Sequence, residues 1–233
     1  MKRVFSKPDN HKVLFRNMLK EMDKLGLGSI SIIMIITFFM GAVVAIQTAL
    51  NLESPFVPDK IVGFTTRDSI ILEFSSTVTA VILAGIIGSN ISSEIGNMRI
   101  SEQLDAMEIM GVNSAGSIIL PKILALFIMM PFLVIIAMVV GISGGFFATL
   151  SVDSVSVQNY IEGLQWDFMP YKVFYSLIKS NVFAIIITSV SSYHGFFVKG
   201  GALEVGKAST RGVIYSIILI LMANLFITYL MLT

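Results

Sequence analysis

The charged residues that could do chemistry are concentrated in one segment, residues 93–112, between two long apolar runs. Its ionisable side chains belong to Glu94, Arg99, Glu102, Asp105 and Glu108. Each would cost roughly 3 kcal/mol or more in hydrocarbon without a partner, so the segment must be solvated or held by another protein. Its apolar residues recur close to a 3.6-residue period, at Met98, Leu104, Met107 and Met110. The pattern predicts a short amphipathic helix at the membrane face or in a socket on a partner, ending at Gly111.

A single acidic residue, Glu73, lies inside another apolar run, about one helical turn from its start. An ionisable residue inside a membrane span is by default a candidate functional site, because its burial is costly. Thr77 follows one turn later, and Gln47 is the one polar residue near the far end of the first apolar run. We predict that these three side chains supply polar contacts on a pathway or gate. The alternative is that the Glu73 carboxylate reaches out to the outer interface.

The composition is that of an integral membrane protein. Hydrophobic residues make up 55% of the 233 residues and charged residues 13%, against about 25% charged in a soluble domain. The net charge of +1 argues against nucleic-acid binding, and the absence of cysteine with only two histidines argues against a metal site. We therefore expect an all-α membrane fold of five spanning helices. The predicted spans cover about residues 28–50, 69–92, 118–150, 173–198 and 213–232.

Residues 1–27 precede the predicted transmembrane domain, residues 28–233, and are rich in basic side chains. Four of them recur at every fourth position: Lys12, Arg16, Lys20 and Lys24. Because apolar residues line another helical face, we predict an interfacial amphipathic helix in the headgroup plane, with a solvated cytoplasmic tail as the alternative.

The distribution of Lys and Arg predicts the orientation of the chain. With the N-terminus in the cytoplasm, the segments 1–27, 93–122 and 199–212 are inside and hold twelve of the sixteen Lys and Arg residues. The outer four are Lys60, Arg67, Lys172 and Lys179. Cytoplasmic loops carry the excess of positive charge, so five spans place the C-terminus outside.

Small residues in the spans are interpreted as helix-packing positions. These are Gly41, Gly85, Gly88, Gly141 and Gly145. Gly141 to Gly145 also fits the G-x-S-x-G motif of serine hydrolases around Ser143, with His194 as a possible base. The topology puts these two residues near opposite ends of their spans, so we favour packing over protease chemistry. The chain has no G-x-x-x-x-G-K-[ST] loop, so we expect it to bind no nucleotide cofactor itself.

Residues 93–112, followed by Leu120-Pro121-Lys122, resemble the signature of the MlaE-family permeases, the membrane subunits of ABC transporters that move phospholipids between bacterial membranes. The matching positions are Glu94, Gly96, Met98, Arg99, Glu102, Gln103, Ala106, Met110 and Gly111. The similarity covers about residues 28–232 and is strongest over residues 84–121 and 195–213. Glu73 also matches an acidic residue of the family, although the Arg before it and the Gly-Pro after it are missing here.

The resemblance implies a permease that moves phospholipid between the inner membrane and an MCE-domain carrier, as a homodimer with separate ABC ATPase subunits that bind ATP and Mg²⁺. It implies a bacterial inner-membrane location, with the N-terminus cytoplasmic and the C-terminus periplasmic. Residues 93–112 would be the helix that couples to the ATPase, through Glu94, Arg99, Glu102, Gln103, Asp105, Met107 and Met110. Gln47, Glu73 and Thr77 would line the lipid pathway or gate. A secondary transporter or a membrane scaffold without transport activity remains the alternative.

Overall fold

The computed structural model describes residues 11–51, 58–150 and 156–232, and these residues form ten α-helices and no strand. The helices are α1 (His11–Glu21), α2 (Ile30–Asn51), α3 (Lys60–Ser69), α4 (Thr79–Leu83), α5 (Ser89–Ile100), α6 (Gln103–Ile109), α7 (Ser114–Thr149), α8 (Val157–Gln165), α9 (Pro170–Phe196) and α10 (Ala202–Leu232). Short π-helical or 3₁₀ segments join α1 to α2 and α3 to α5 without a loop: Met22–Gly26, Leu27–Ser29, Ile70–Val78 and Ala84–Gly88.

Five helical stretches of the described residues are long and apolar enough to cross a membrane, which confirms the five predicted spans. They cover Lys12–Asn51, Lys60–Ile100, Ser114–Thr149, Pro170–Phe196 and Ala202–Met231. The third runs unbroken through Pro121 and Pro131, since neighbouring helices and side chains can satisfy the backbone groups that proline leaves free. The first continues directly from α1, so placement of α1 in the headgroup plane stays a prediction. Residues 1–10 of that predicted helix lie outside the described residues.

Residues 93–112, expected as one helix, are divided between α5 and α6. Helix α5 continues the second span to Ile100, and Glu102 then takes a left-handed conformation, with φ of 59°. Helix α6 ends at Ile109, and the expected stop residue, Gly111, follows two positions later with a φ of +78°. There the amides of Gly111 and Val112 donate to the carbonyls of Glu108 and Met107, each at 3.0 Å. This is the bonding pattern of a Schellman cap, which glycine favours because it lacks a Cβ. A left-handed glutamate has no comparable sequence signal.

Contacts separate the chain into two compact units. One contains residues up to 29, 80–130 and 181–233, and the other contains 30–79 and 131–180. In the first, α5 packs along α10, and the Ser209 hydroxyl donates to the Ser89 carbonyl at 3.2 Å. In the second, α3 packs against α8, and both helices lie almost entirely outside the predicted spans.

Helix packing in the second unit depends on glycines that let backbones touch. A Cβ built at Gly41 would lie 1.8 Å from the carbonyl oxygen of Gly141, and one at Gly144 would lie 2.0 Å from that of Phe38. Gly145 faces the Tyr160 hydroxyl, 2.3 Å from a built Cβ. No larger residue fits at these positions without moving a helix, which is the packing mode typical of membrane helices.

Gly85 and Gly88, in the first unit, differ from each other. A Cβ at Gly88 would lie 2.8 Å from the Ser191 hydroxyl oxygen, so this position is also close-packed. At Gly85 no heavy atom of the described residues lies within 4 Å of a built Cβ. The packing role of Gly85 therefore stays a prediction, because the described residues of this chain supply no neighbour on that face of the helix.

Helices α3 and α8 are held together by Tyr160 and Arg67. Tyr160 is fully buried beside Val62, and its hydroxyl donates to the Ile142 carbonyl at 3.1 Å. The buried Arg67 guanidinium donates to the carbonyls of Leu164 and Trp166 at 2.8 and 2.9 Å. Arg67 thus satisfies carbonyls at the C-terminal end of α8, where a cation is favoured.

Substitution of Gly41 by Ala should destabilise the protein by about 2 kcal/mol, because the new methyl group must displace the backbone at Gly141. Gly85→Ala is the matched control, since the same change in an open position should be neutral or stabilising by up to about 1 kcal/mol. The midpoint of thermal unfolding in detergent measures both. Equal midpoints for the two variants would contradict the close backbone contact.

Candidate functional site

Four charged side chains from three segments form an ion cluster near the start of the third span. The Lys122 ammonium in α7 donates to Glu21 of α1 at 2.6 Å and to Glu94 of α5 at 3.0 Å. Lys24 donates to the other Glu94 oxygen at 2.6 Å. Because the Lys122 side chain is only 1% exposed, it must be paired, and Lys24 brings the cluster to charge balance.

The ion cluster changes the interpretation of Glu94. Sequence reasoning placed Glu94 among the residues facing an ATPase, whereas both of its carboxylate oxygens are bound to lysines of its own chain. Glu21, Lys24 and Lys122 were not predicted as site residues. The sequence did contain a signal for this cluster. Lys122 follows Pro121 in an otherwise apolar run, and a lysine at such a position must find an acidic partner.

Helix α6 exposes polar side chains at its start and large apolar side chains at its end. Glu102 and Gln103 are exposed at its start, and Ile109 and Met110 are 88% and 71% exposed at its end. We call these four residues the α6 surface. Leu104 is fully buried and anchors the helix. Large exposed apolar side chains beside charged ones are typical of a protein-binding surface.

The other predicted residues of this segment connect α6 to its neighbours. Arg99 donates to Asp105 at 2.6 Å and so joins the end of α5 to α6. Ser114, the first residue of α7, donates to Glu108 at 2.9 Å. Met107 is half-buried. Ile109 was missed, because the 3.6-residue pattern was traced through Met107 and Met110 and ran past the true end of α6.

Glu73 forms a buried ion pair in the second unit. Its Oε1 lies 2.7 Å from the ammonium of Lys179 in α9, and Lys179 is completely buried. Lys179 also donates to the Tyr175 hydroxyl at 3.0 Å and the Leu72 carbonyl at 3.2 Å. Thr77 donates to the second Glu73 oxygen at 3.0 Å. The structure thus pairs Glu73 within the protein.

The Glu73–Lys179 pair lies beside a π-helical segment, Ile70–Val78, of the kind that often marks functional sites. The Glu73 side chain remains 40% exposed. A partly exposed carboxylate inside a span requires a polar or water-filled surface next to it, because lipid tails cannot solvate it. Lys179 was counted among the outer charges; its position several residues inside the fourth span was the signal that it needed a buried acid.

The remaining predicted residues are not brought to this pair. Gln47 lines an apolar hollow on α2 together with Val43, Ile46, Leu50 and Asn51, apart from Glu73. The Ser143 hydroxyl donates to the Val139 carbonyl of its own helix at 2.8 Å. His194 stacks on Tyr215, with 5.3 Å between ring centroids. Each is thus engaged in an ordinary helix contact, as the packing interpretation of the G-x-S-x-G match expects.

Comparison with known proteins identifies the family. The family described as Permease MlaE matches residues 18–230. A probable ABC transporter permease protein of Rickettsia bellii is 33% identical, over 92% of this chain and 82% of the relative. The intermembrane phospholipid transport system permease protein MlaE of Haemophilus influenzae is 29% identical, over 93% and 83%. The chloroplastic protein trigalactosyldiacylglycerol 1 of Arabidopsis thaliana is 27% identical, over 91% and 61%. With its five membrane-length helices and this match over most of its length, the chain belongs to the MlaE family of ABC transporter permeases.

Proposed function

We propose that this chain is the permease subunit that moves phospholipid between the inner membrane and an MCE-domain carrier, driven by separate ATPase subunits. The observation that carries the proposal is the exposed α6 surface, on a helix that one ion pair and one hydrogen bond join to the second and third spans. The name of the Haemophilus influenzae relative supports phospholipid as the cargo. In this proposal ATP and Mg²⁺ are bound by the partner, and the chain itself holds no cofactor.

Three contacts give a route from the ATPase to the spans. The Arg99–Asp105 pair joins α6 to the second span, and the Ser114–Glu108 hydrogen bond joins it to the third. The ion cluster around Lys122 then connects both spans to the N-terminal helix. ATP-driven movement of the docked ATPase would shift α6, and these contacts would carry the shift into the membrane.

The Glu73–Lys179 pair is proposed as part of the lipid gate, with Gln47 and Thr77 contributing polar contacts along the pathway. A free carboxylate would repel a lipid phosphate, but the Lys179 ammonium neutralises Glu73 in the resting structure. Separating the pair would expose a cation to the phosphate and an acid to water. The gate would thus change its affinity for an anionic headgroup when the helices move.

A homodimer is the proposed assembly, in the bacterial inner membrane, with the N-terminus cytoplasmic and the C-terminus periplasmic. Helix α10 supports it, because side chains such as Leu225 and Phe226 are 74% and 70% exposed on the isolated chain. Such a face suits lipid or a second copy of the chain. An MCE protein would meet the dimer on the periplasmic side.

A secondary transporter is a second candidate, favoured by the intramembrane Glu73–Lys179 pair, since coupling ions bind at such groups. A scaffold without transport is the third candidate.

Purification of the tagged chain from its native membrane in mild detergent, followed by native mass spectrometry, separates the three candidate functions. Two copies with two ATPases and an MCE protein are expected. A folded chain without ATPase would reject the ABC mechanism.

Ile109→Asp combined with Met110→Asp should abolish ATPase binding, because charge replaces the apolar end of the α6 surface while Leu104 still anchors the helix. Leu203→Asp also puts an acid in place of an exposed apolar side chain, but outside α6, and this variant should bind the ATPase normally. Co-purification of the ATPase with each folded variant provides the measurement. Binding by the double variant at the level of the control would reject α6 as the docking helix.

Lys122→Met should destabilise the protein by about 3 kcal/mol, because Glu94 and Glu21 lose their buried partner. Lys207→Met breaks an exposed pair with Glu204 and should leave the stability nearly unchanged, because solvent screens such a pair. At a temperature where both variants are folded, Lys122→Met should keep the ATPase bound but lose lipid transfer per ATP hydrolysed. Unchanged transfer would show that the ion cluster serves stability alone.

Lys179→Met should reduce ATP-dependent lipid transfer by about tenfold or more, and should lower stability because Glu73 is left unpaired. The double variant Glu73→Gln/Lys179→Met removes both charges and should recover most of the stability. We expect transfer to stay low in the double variant. Transfer that returned together with the unfolding temperature would reduce the pair to a structural role.

A further inference from the structure

A hollow where the fourth span turns into the fifth has an excess of positive charge that the proposed transport route does not use. The aromatic, polar and charged residues of its lining are Tyr193, His194, Phe197, Lys199, Glu204 and Arg211. All six belong to the first compact unit. The turn depends on Gly200, whose φ of +114° is strained for other residues and which separates Lys199 from α10.

The charges of the hollow are not balanced. Within the described residues, no carboxylate forms an ion pair with Lys199 or Arg211, and both side chains are exposed. The one acid in the lining, Glu204, is bonded to Lys207 at 2.7 Å. The Glu204 carboxylate is therefore already compensated by a lysine outside the lining. Two cations, one of them a guanidinium, remain available to an anion.

The aromatic side chains place the hollow at the depth of lipid headgroups. Tyr193 and Phe197 are 61% and 62% exposed, with their ring centroids 5.0 Å apart. Both stand at the end of the membrane-length helix α9, where it meets the start of α10. Exposed aromatic rings at the ends of spanning helices settle at the headgroup level. The cations beside them are then level with lipid phosphate.

We propose that this hollow binds the phosphodiester headgroup of an anionic phospholipid, with Lys199 and Arg211 holding the phosphate against Tyr193 and Phe197. The planar guanidinium of Arg211 can donate two parallel hydrogen bonds to phosphate oxygens, and Lys199 adds a mobile charge. Basic pockets between spanning helices recognise lipid headgroups in this way. The exposed rings favour a lipid over free phosphate, because they offer contact to glycerol and the first acyl carbons.

This site requires only that the chain is in a membrane, so it can fail while the transport proposal stands. It is distinct from the Glu73–Lys179 pair, whose residues belong to the other compact unit. A lipid held here would occupy a fixed position at the turn between two spans. Its role would be to select which lipid class surrounds or enters this part of the permease.

The experiment uses tryptophan fluorescence, because Trp166 is the only tryptophan of the chain. In a Trp166→Phe background, Phe197→Trp reports on the hollow, and Phe226→Trp reports on an exposed position far along α10. Full-length protein is placed in nanodiscs of phosphatidylcholine and phosphatidylglycerol, with one of the two lipids brominated at a time. Quenching against mole fraction measures the preference of each position for the anionic lipid.

We expect a preference of about fivefold or more for phosphatidylglycerol at the Phe197→Trp reporter, and none at the Phe226→Trp reporter. Lys199→Gln/Arg211→Gln should remove the preference, and Glu204→Gln should increase it. The control variant Arg16→Gln/Lys20→Gln removes the same amount of positive charge from α1 and should leave the lipid preference unchanged. Unfolding temperatures identify any variant that has not folded.

Equal quenching by both lipids at Phe197→Trp, in a folded protein, would overturn the proposal. An equally large loss of preference in Arg16→Gln/Lys20→Gln and in Lys199→Gln/Arg211→Gln would also overturn it, because the effect would then come from the net charge of the protein and not from the hollow. Millimolar inorganic phosphate is added as a last arm and should leave the preference intact. Displacement of the lipid by phosphate would assign the hollow to soluble anions instead.

Discussion

The structure depends on one constraint: a lysine or arginine withdrawn from water needs a carboxylate or carbonyl partner, and the chain supplies that partner from a distant segment. Lys122 joins the third span to α1 and α5, and Lys179 joins α9 to the π-helical segment around Glu73. Arg67 likewise joins α3 to the carbonyls at the end of α8. Breaking either lysine pair leaves an uncompensated buried charge, so these contacts specify which helices meet.

Helix contacts around these pairs are set by close packing, because lipid tails are as apolar as leucine and give helices no hydrophobic reason to associate. Gly41 and Gly144 let two helices approach until backbone oxygens fill the space of a side chain. Gly63 and Gly163 do the same where α3 meets α8. The apolar side chains that would form a core in water are instead left outside on α10, where lipid or a second copy can cover them.

Function in this architecture is divided between rigid connections and two places that remain open. The α6 surface is exposed but anchored by Leu104, so a force applied to it is transmitted to its neighbours. Glu73 is paired with Lys179 yet 40% exposed, so a polar or aqueous surface can reach its carboxylate. The proposed transport of lipid would use this combination, since the cargo would have a charged end and an apolar end and the protein would meet both in turn. The proposed site at Lys199 and Arg211 would add a second place where a lipid headgroup is bound.

The sequence by itself determined the membrane class, the five spans, the polar segment at 93–112 and the family, because hydropathy and motif spacing are local properties of the chain. It also predicted the end of α6 at Gly111, where a left-handed residue favours glycine. Only the tertiary structure decided that Glu94 pairs with Lys122 and Lys24, and that Lys179 is the partner of Glu73. It likewise decided that Gly88 meets Ser191, whereas no described residue packs on Gly85. It also decided that Glu102 breaks the helix and that α3 and α8 form between the predicted spans. A pattern shows which groups cannot stay in hydrocarbon alone, but the partner depends on distances between residues up to about a hundred positions apart, which no local pattern contains.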